Sequence, residues 1–169
     1  MADTHPEYKS SDKQGPIHWP VFATYHSEDG LNAQIYTRCI GTRFCGNACP
    51  YKTRVYNWFT PEFPEPLTEQ LNPDVSIRTR GIMEKCTFCI QRIRRTEIDA
   101  QAEGRSPADG EIQPACVQTC PTSALIFGDL NDPNSSVSQL ARSRRSFRLL
   151  PELGTDPGVI YLKGGETNV

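Results

Sequence analysis

The seven cysteines of this chain fall into two groups and nowhere else. Cys39, Cys45 and Cys49 stand in one short run, R-C-I-G-T-R-F-C-G-N-A-C-P, and Cys86, Cys89, Cys116 and Cys120 form the second group. Each group closes with the same step, C-x3-C-P, followed by a strand-like run. An odd count with no signal-peptide pattern argues against a disulfide framework. Thiolates gathered at such spacings are ligands for soft metals.

Runs of the form C-x2-C-x2-C-x3-C-P bind iron–sulfur clusters, and where two clusters are present the cysteine before the proline ligates the other cluster. In the first group the last spacing and the proline are intact, but the slot three residues after Cys39 holds Thr42. A threonine hydroxyl at neutral pH does not bind iron as a thiolate does. The run is a cluster motif with one ligand removed. If the two groups pair with each other, Cys86, Cys89 and Cys116 with Cys49 hold a [4Fe-4S] cluster. Cys39 and Cys45 with Cys120 then hold a [3Fe-4S] cluster, with Thr42 at its vacant ligand position.

Other chemistries fit less well. One structural zinc on Cys86, Cys89, Cys116 and Cys120 would have four thiolates, yet zinc sites pair C-x2-C with another C-x2-C and have no use for the closing proline. Zinc on Cys39, Cys45 and Cys49 would lack a fourth ligand, because His5, His18 and His26 lie outside the group. No Cys–His pairing suggests a nucleophile, and no paired carboxylates suggest acid–base work.

Composition agrees with a small metal-stapled chain. Its 169 residues are 37% hydrophobic, with fourteen prolines and twelve glycines, and the mean hydropathy is −0.53. Loops dominate such a chain, and metal rather than a large apolar core is expected to hold it together. The net charge of −2 gives no pull toward nucleic acid. No apolar run approaches the roughly 20 residues of a membrane helix, so no membrane insertion of its own is expected. The first residues lack the basic and apolar regions of a signal peptide, and export is expected to depend on another chain's signal.

Residues 1–18 are polar and aperiodic and are read as an N-terminal tail. Gly30 to Tyr36 alternates as a short strand, and Val55 to Phe59 suits a returning strand. Thr60 to Pro66, with three prolines, is expected to be an extended linker. Ile90 to Glu103 has helical spacing at Ile90, Ile93 and Ile98 and ends at Gly104, with Arg92, Arg94 and Arg95 read as a solvated face. Ser106 to Gln113 is a surface turn, Ala124 to Phe127 a strand, Val137 to Arg142 a short helix and Val159 to Leu162 a last strand. The fold class is α+β, a loop-rich ferredoxin-like iron–sulfur fold with short helices and strands around the cysteine motifs. Residues 19–132 form the 4Fe-4S domain and 133–169 a C-terminal extension.

The run from Ala23 to Asn32 (A-T-Y-H-S-E-D-G-L-N), Arg38 to Lys52, Arg80 to Arg92 (R-G-I-M-E-K-C-T-F-C-I-Q-R) and Ala115 to Asp132 together carry a family resemblance. Over about Pro20 to Leu162 the chain resembles the ferredoxin-like iron–sulfur subunits of membrane-bound complexes in the molybdopterin-oxidoreductase superfamily. It is most similar to the iron–sulfur domain of bacterial alternative complex III. The resemblance implies an iron–sulfur electron-transfer subunit of a quinol-oxidising respiratory or photosynthetic complex, relaying single electrons from quinol toward an acceptor. It implies as partners a quinone-interacting polytopic subunit and a haem c subunit, and a peripheral place on the cytoplasmic membrane, on the periplasmic face of a bacterium. It also implies a [3Fe-4S] cluster, with Thr42 at the position where one would arise.

The family carries four cysteine motifs, and this sequence matches the third and fourth. Trp19-Pro20 stands where a Cys-Pro would close the second. Three arrangements remain open: another chain supplies the missing ligands, the two present groups pair with each other, or clusters have been lost and the chain is scaffold. Two rival functions stand beside the quinol-oxidising one. One is an electron-transfer subunit of a molybdenum oxyanion reductase. The other is a zinc-stapled or cluster-less structural subunit.

Overall fold

A computed structural model describes residues 21–27 and 29–164. The expected tail over 1–18, Trp19-Pro20, His5 and His18 lie outside the described residues. The chain divides into two units, Met1–Thr87 and Phe88–Val169, so Cys86 belongs to the first and Cys89 to the second.

In the first unit, β1 (Thr24–His26) pairs antiparallel with β2 (Asn32–Gln34), Tyr25 opposite Ala33. Gly30, at φ 76°, lets the connecting turn close. Where the alternation predicts a strand over Gly30 to Tyr36, three residues pair, because a 3-10 turn at Tyr36–Arg38 diverts the chain toward Cys39. A single helical turn, α1 (Phe44–Ala48), follows. It begins beyond Arg43, which sits in the left-handed region at φ 60°, and ends at Cys49, whose N–H donates to Cys45 O over 3.2 Å.

The returning strand is shorter than Val55 to Phe59. Only β3 (Val55–Tyr56) pairs, antiparallel with β4 (Met83–Glu84). Beyond it the Asn57 amide donates to Glu84, Trp58 and Phe59 are exposed, Phe59 to 83%, and Tyr56 and Trp58 pack edge to face at 4.7 Å beneath the Arg43 guanidinium. The proline-rich stretch lacks regular structure as far as Pro64, as expected, but then bends at Glu65–Pro66 into a 3-10 turn over Leu67–Gln70.

Buried Gln34 holds the unit's centre. Its Nε2 donates to Met83 O over 2.8 Å, and its Oε1 accepts from Arg54 Nη1 over 2.9 Å. A buried amide is tolerable because both of its ends are bonded. Ala23 and Met83 complete this small core.

In the second unit, α2 (Ile90–Ala102) runs where the spacing predicts a helix, with Gly104 beyond it at φ 72°. Its buried stripe is Ile93 and Ala100. Ile98 points outward, 65% exposed. Arg92 departs from the expected solvated face: its Nη1 donates to Gln113 O and Gln118 Oε1 over 2.9 and 2.7 Å. It thereby fastens α2 to α3 (Ala115–Gln118).

The expected turn over Ser106 to Gln113 is clipped by Arg105, whose guanidinium pairs with Glu111 and Glu103. Asp109 accepts from the Ser136 N–H and hydroxyl at the start of α4 (Ser136–Ala141). Ser135 caps α4 by accepting from the Ser138 N–H. The last sheet pairs β5 (Ser146–Phe147) with β6 (Tyr161–Leu162), Phe147 stacking on Tyr161 at 5.6 Å. That leaves Val159 and Ile160 of the expected last strand unpaired.

Ala124 to Phe127 forms no strand. Among the described residues no strand pairs with it, Leu125 and Ile126 are about half exposed, and the Ala124 N–H is spent on a cysteine sulfur. The architecture among the described residues is therefore three two-stranded ribbons, short helices and loops. Among the described residues no helix is long and apolar enough to cross a membrane.

Candidate metal centre

None of the seven cysteines is in a disulfide; Cys86 and Cys116 are exposed and the other five half-buried. Among the described residues no three His, Cys, Asp or Glu side chains converge as a ready-made site for a single ion. The fold provides instead a polar environment built around individual sulfurs.

Two of the three cysteines of the first group line a small cavity. Cys39, Thr42 and Cys45 line it together, with Ala23, Gln34 and Met83 behind them. The Met83 N–H, held by β4, donates to Cys39 Sγ over 3.4 Å. Gly41 makes this approach possible. Its φ is 73°, and any side-chain carbon there would run into the carbonyl of Gly81.

Cys49 lies one turn beyond Cys45, at the end of α1, and its Sγ is 3.6 Å from Thr53 Oγ1. Partial burial pushes the Cys49 thiol up, but the N–H and hydroxyl of Thr53, with the N–H groups of Tyr51 and Lys52, outweigh it and draw the thiol below its ordinary value. Lys85 lies near two of this unit's cysteines. Its ammonium donates to Cys86 O over 2.7 Å and feels both the Cys86 and the Cys49 sulfurs. Burial is the main cause of its lowered pKa, followed by repulsion from Arg54, and the two sulfurs act in the opposite direction.

In the second unit, Cys89 opens α2 from the left-handed region, at φ 53°. Its carbonyl accepts the Arg92 N–H over 2.7 Å, and its sulfur accepts the Ala115 N–H over 3.4 Å. That bond brings Cys89 beside the start of α3, which carries Cys116. Cys120 follows α3, and its Sγ meets Thr122 Oγ1 at 3.6 Å and the Ala124 N–H at 3.3 Å. The Thr122 hydroxyl and then the Ala124 N–H hold its thiol down to about 7.

Sequence reasoning finds the cysteines but not their donors. Thr53, Met83, Lys85, Ala115, Thr122 and Ala124 carry no motif of their own. The one available signal is a threonine shortly after each Cys-Pro step.

These environments suit thiolate ligands. The thiolate, not the thiol, binds metal, and N–H groups aimed at ligand sulfurs are how a protein stabilises a cluster's charge. Cysteine-rich, loop-built and supplied with donors at four sulfurs, the chain has the character of an iron–sulfur protein. It belongs to the 4Fe-4S dicluster domain family, whose model matches residues 38–124 and so both cysteine groups.

Relatives extend the match toward both ends. The chain is 48% identical over 151 residues to the menaquinone reductase iron-sulfur cluster-binding subunit of Nitratidesulfovibrio vulgaris, covering 87% of this chain and 59% of that protein. It is 43% identical over 148 residues to the Hdr-like menaquinol oxidoreductase iron-sulfur subunit 1 of Archaeoglobus fulgidus, covering 85% and 51%. It is 33% identical over 172 residues to an arsenate respiratory reductase iron-sulfur subunit of a Shewanella species, covering 85% and 67%. The chain thus spans between half and two thirds of the length of these relatives.

Proposed function

We propose that this chain is the iron–sulfur electron-transfer part of a membrane-bound, quinone-linked oxidoreductase, with Cys39, Cys45, Cys49, Cys86, Cys89, Cys116 and Cys120 as cluster ligands. The observation that carries the proposal is the set of backbone N–H groups directed at sulfur: Met83 to Cys39, Ala115 to Cys89 and Ala124 to Cys120. Iron–sulfur clusters supply one-electron transfer, at potentials governed by charge, hydrogen bonding to sulfur and exposure. The residues of this chain set those conditions. The N–H donors stabilise negative charge on the thiolates, Lys85 places positive charge beside Cys49 and Cys86, and the β3–β4 ribbon fixes Met83 against Cys39. No residue is assigned to act on a substrate.

Names given to two of the relatives, menaquinone reductase and menaquinol oxidoreductase, support a quinone-type partner. Within this reading the complex is of the alternative complex III type, with a quinone-interacting polytopic subunit and a haem c subunit as neighbours, on the periplasmic face of the membrane. Residues 19–132 form a ferredoxin-like cluster-binding part and 133–169 an extension. The first cysteine group serves a [3Fe-4S] cluster, Thr42 standing where a fourth thiolate would be.

The relative named for arsenate respiration favours a second reading, the electron-transfer subunit of a molybdenum oxyanion reductase. Purification of the intact complex separates the possibilities. Iron with matching acid-labile sulfide and an EPR signal that responds to reduction by quinol is the expected result, and a molybdopterin cofactor would move the assignment to the second reading. Zinc in place of iron, or no metal, would overturn both.

A further inference from the structure

In each cysteine group, the residue before the proline carries a threonine hydroxyl on its sulfur. Thr53 lies four residues beyond Cys49 and Thr122 two residues beyond Cys120, yet both hydroxyls reach the same separation of 3.6 Å from their sulfurs. The contact is therefore not one repeated sequence position. Two different loops arrive at it. Each loop turns through a non-glycine residue in the left-handed region next to its threonine, Lys52 at φ 53° and Ser123 at φ 50°. Backbone of that kind persists where the surrounding structure holds it in place. In the first loop, Lys52 is anchored by its ammonium, which donates to Asn47 O over 3.2 Å. In the second, the Ala124 N–H bonds the same sulfur as the hydroxyl does.

Between a thiol and a hydroxyl, either atom can donate. A metal-bound cysteine sulfur has no proton left, so the hydroxyl becomes the sole donor and the bond is charge-assisted. We propose that Thr53 and Thr122 are potential-setting residues, whose hydroxyls donate to Cys49 Sγ and Cys120 Sγ and favour the reduced state of the iron–sulfur groups these thiolates bind. The inference rests on the reading of Cys49 and Cys120 as ligands. Adding one electron from a quinol or a chemical reductant increases negative charge on the ligand sulfurs. A donor on the sulfur then stabilises the reduced form more than the oxidised one, which raises the potential. Thr53 and Thr122 act through the sulfurs they touch and are positioning residues rather than catalytic ones.

The test compares Thr53→Val and Thr122→Val, which keep the shape and lose the hydroxyl, with Thr53→Ser and Thr122→Ser, which keep the hydroxyl. Each purified complex is assayed for iron and acid-labile sulfide and titrated between dithionite and ferricyanide with EPR detection. The valine variants are expected to lower the midpoint potential of one iron–sulfur signal each. The expected fall in the one-electron equilibrium constant is up to about tenfold, or about 59 mV, with the serine variants near the unsubstituted value. Fully loaded valine variants with unchanged potentials would overturn the proposal, as would serine variants that shift as far as valine. Iron lost from the valine but not the serine variants supports the hydroxyl's role. Iron lost from both shows that shape alone matters and overturns it. An unsubstituted complex without iron and sulfide would instead remove the ligand assignment itself, before any variant is compared.

Discussion

Met83 donates its backbone N–H to Cys39 Sγ over 3.4 Å, across a separation of 44 residues. Its carbonyl accepts from the buried Gln34 amide at the same time, and its side chain, 3% exposed, reaches the backbone of α1 at Gly46. One residue thus joins β2, β4 and the first cysteine group. Met83→Ala removes most of the apolar volume from a core that otherwise holds Ala23. A loss of about 2–5 kcal/mol of stability is expected, read as a lower denaturant midpoint. Met83→Leu, of similar volume, should cost less than about 1.5 kcal/mol.

Gly41 makes an independent prediction about the same site. Its left-handed φ strains any L side chain, and an added carbon would meet the Gly81 carbonyl, which is backbone and cannot swing aside. Gly41→Ala is expected to destabilise the first unit by more than the roughly 1 kcal/mol of an ordinary glycine effect and to lower the iron bound per chain. Gly30→Ala shares the positive φ but meets nothing within 4 Å. It should cost the strain alone and leave the iron content unchanged.

Lys85 links Cys49 and Cys86 electrostatically. A half-buried cation near two sulfurs proposed as cluster ligands stabilises added negative charge. Lys85→Met is therefore expected to lower the midpoint potential of an iron–sulfur signal, while Lys85→Arg should largely keep it. EPR-monitored redox titration of the loaded protein reads both, and an unchanged value for Lys85→Met would remove Lys85 from the set of potential-determining groups.

How much of this was legible in advance depended on how local the cause was. The helix α2 is visible from its spacing and from Gly104, since helices are written in neighbours three and four apart. Ile98 shows the limit of that argument: it fits the apolar spacing, but the packed stripe runs through Ile93 and Ala100, and Ile98 is left 65% exposed. The cysteine groups are visible because motif spacing is local too. The partner of Val55 is not, because it is Glu84 across a proline-rich excursion, and no local pattern encodes that pairing. Ala124 to Phe127 fails as a strand for the same reason. Its composition suits extended pairing, but the described residues offer it no partner strand, and its first N–H goes to Cys120. The donors to sulfur, including the two threonines, emerge only once loops are folded back on the cysteines.

The Arg105–Glu111 clip gives a pH prediction. The Arg105 guanidinium, through a side-chain hydrogen bond, and the Ala108 N–H hold the Glu111 carboxyl down to about 2, below its ordinary value of 4.5. A carboxylate with a depressed pKa in the folded chain stabilises fully above its unfolded value and loses that contribution as pH falls through the folded one. The clip is thus expected to contribute its full stabilisation above about pH 4.5 and to fade toward pH 2. Glu111→Gln should lower the melting temperature at pH 7, and the difference from the unsubstituted chain should shrink as the pH is brought down to 2. A difference that stays constant over that range would show that Glu111 acts by shape and not by charge. The pair is solvent-exposed, so added salt should reduce the pH 7 difference as well.

Thr42 offers the most direct test of the first group's chemistry. It lines one cavity with Cys39 and Cys45, at the slot where the cluster-binding pattern places a cysteine. If this group serves a three-iron cluster because a thiolate is missing there, Thr42→Cys supplies the missing ligand without disturbing Gly41 or the Met83–Cys39 bond. The exchange replaces a hydroxyl and a methyl with one thiol of similar bulk, so folding should tolerate it. The expected result is a gain of about one iron per chain. The EPR signal of the oxidised three-iron form should be lost, and a signal of a reduced [4Fe-4S] cluster should replace it. Cys39→Ser should abolish the oxidised signal by another route, with a fall rather than a rise in iron. An oxidised three-iron signal that survives Thr42→Cys at unchanged iron content would show that Thr42 does not stand at the vacant corner, and the three-iron cluster would then have to be placed elsewhere.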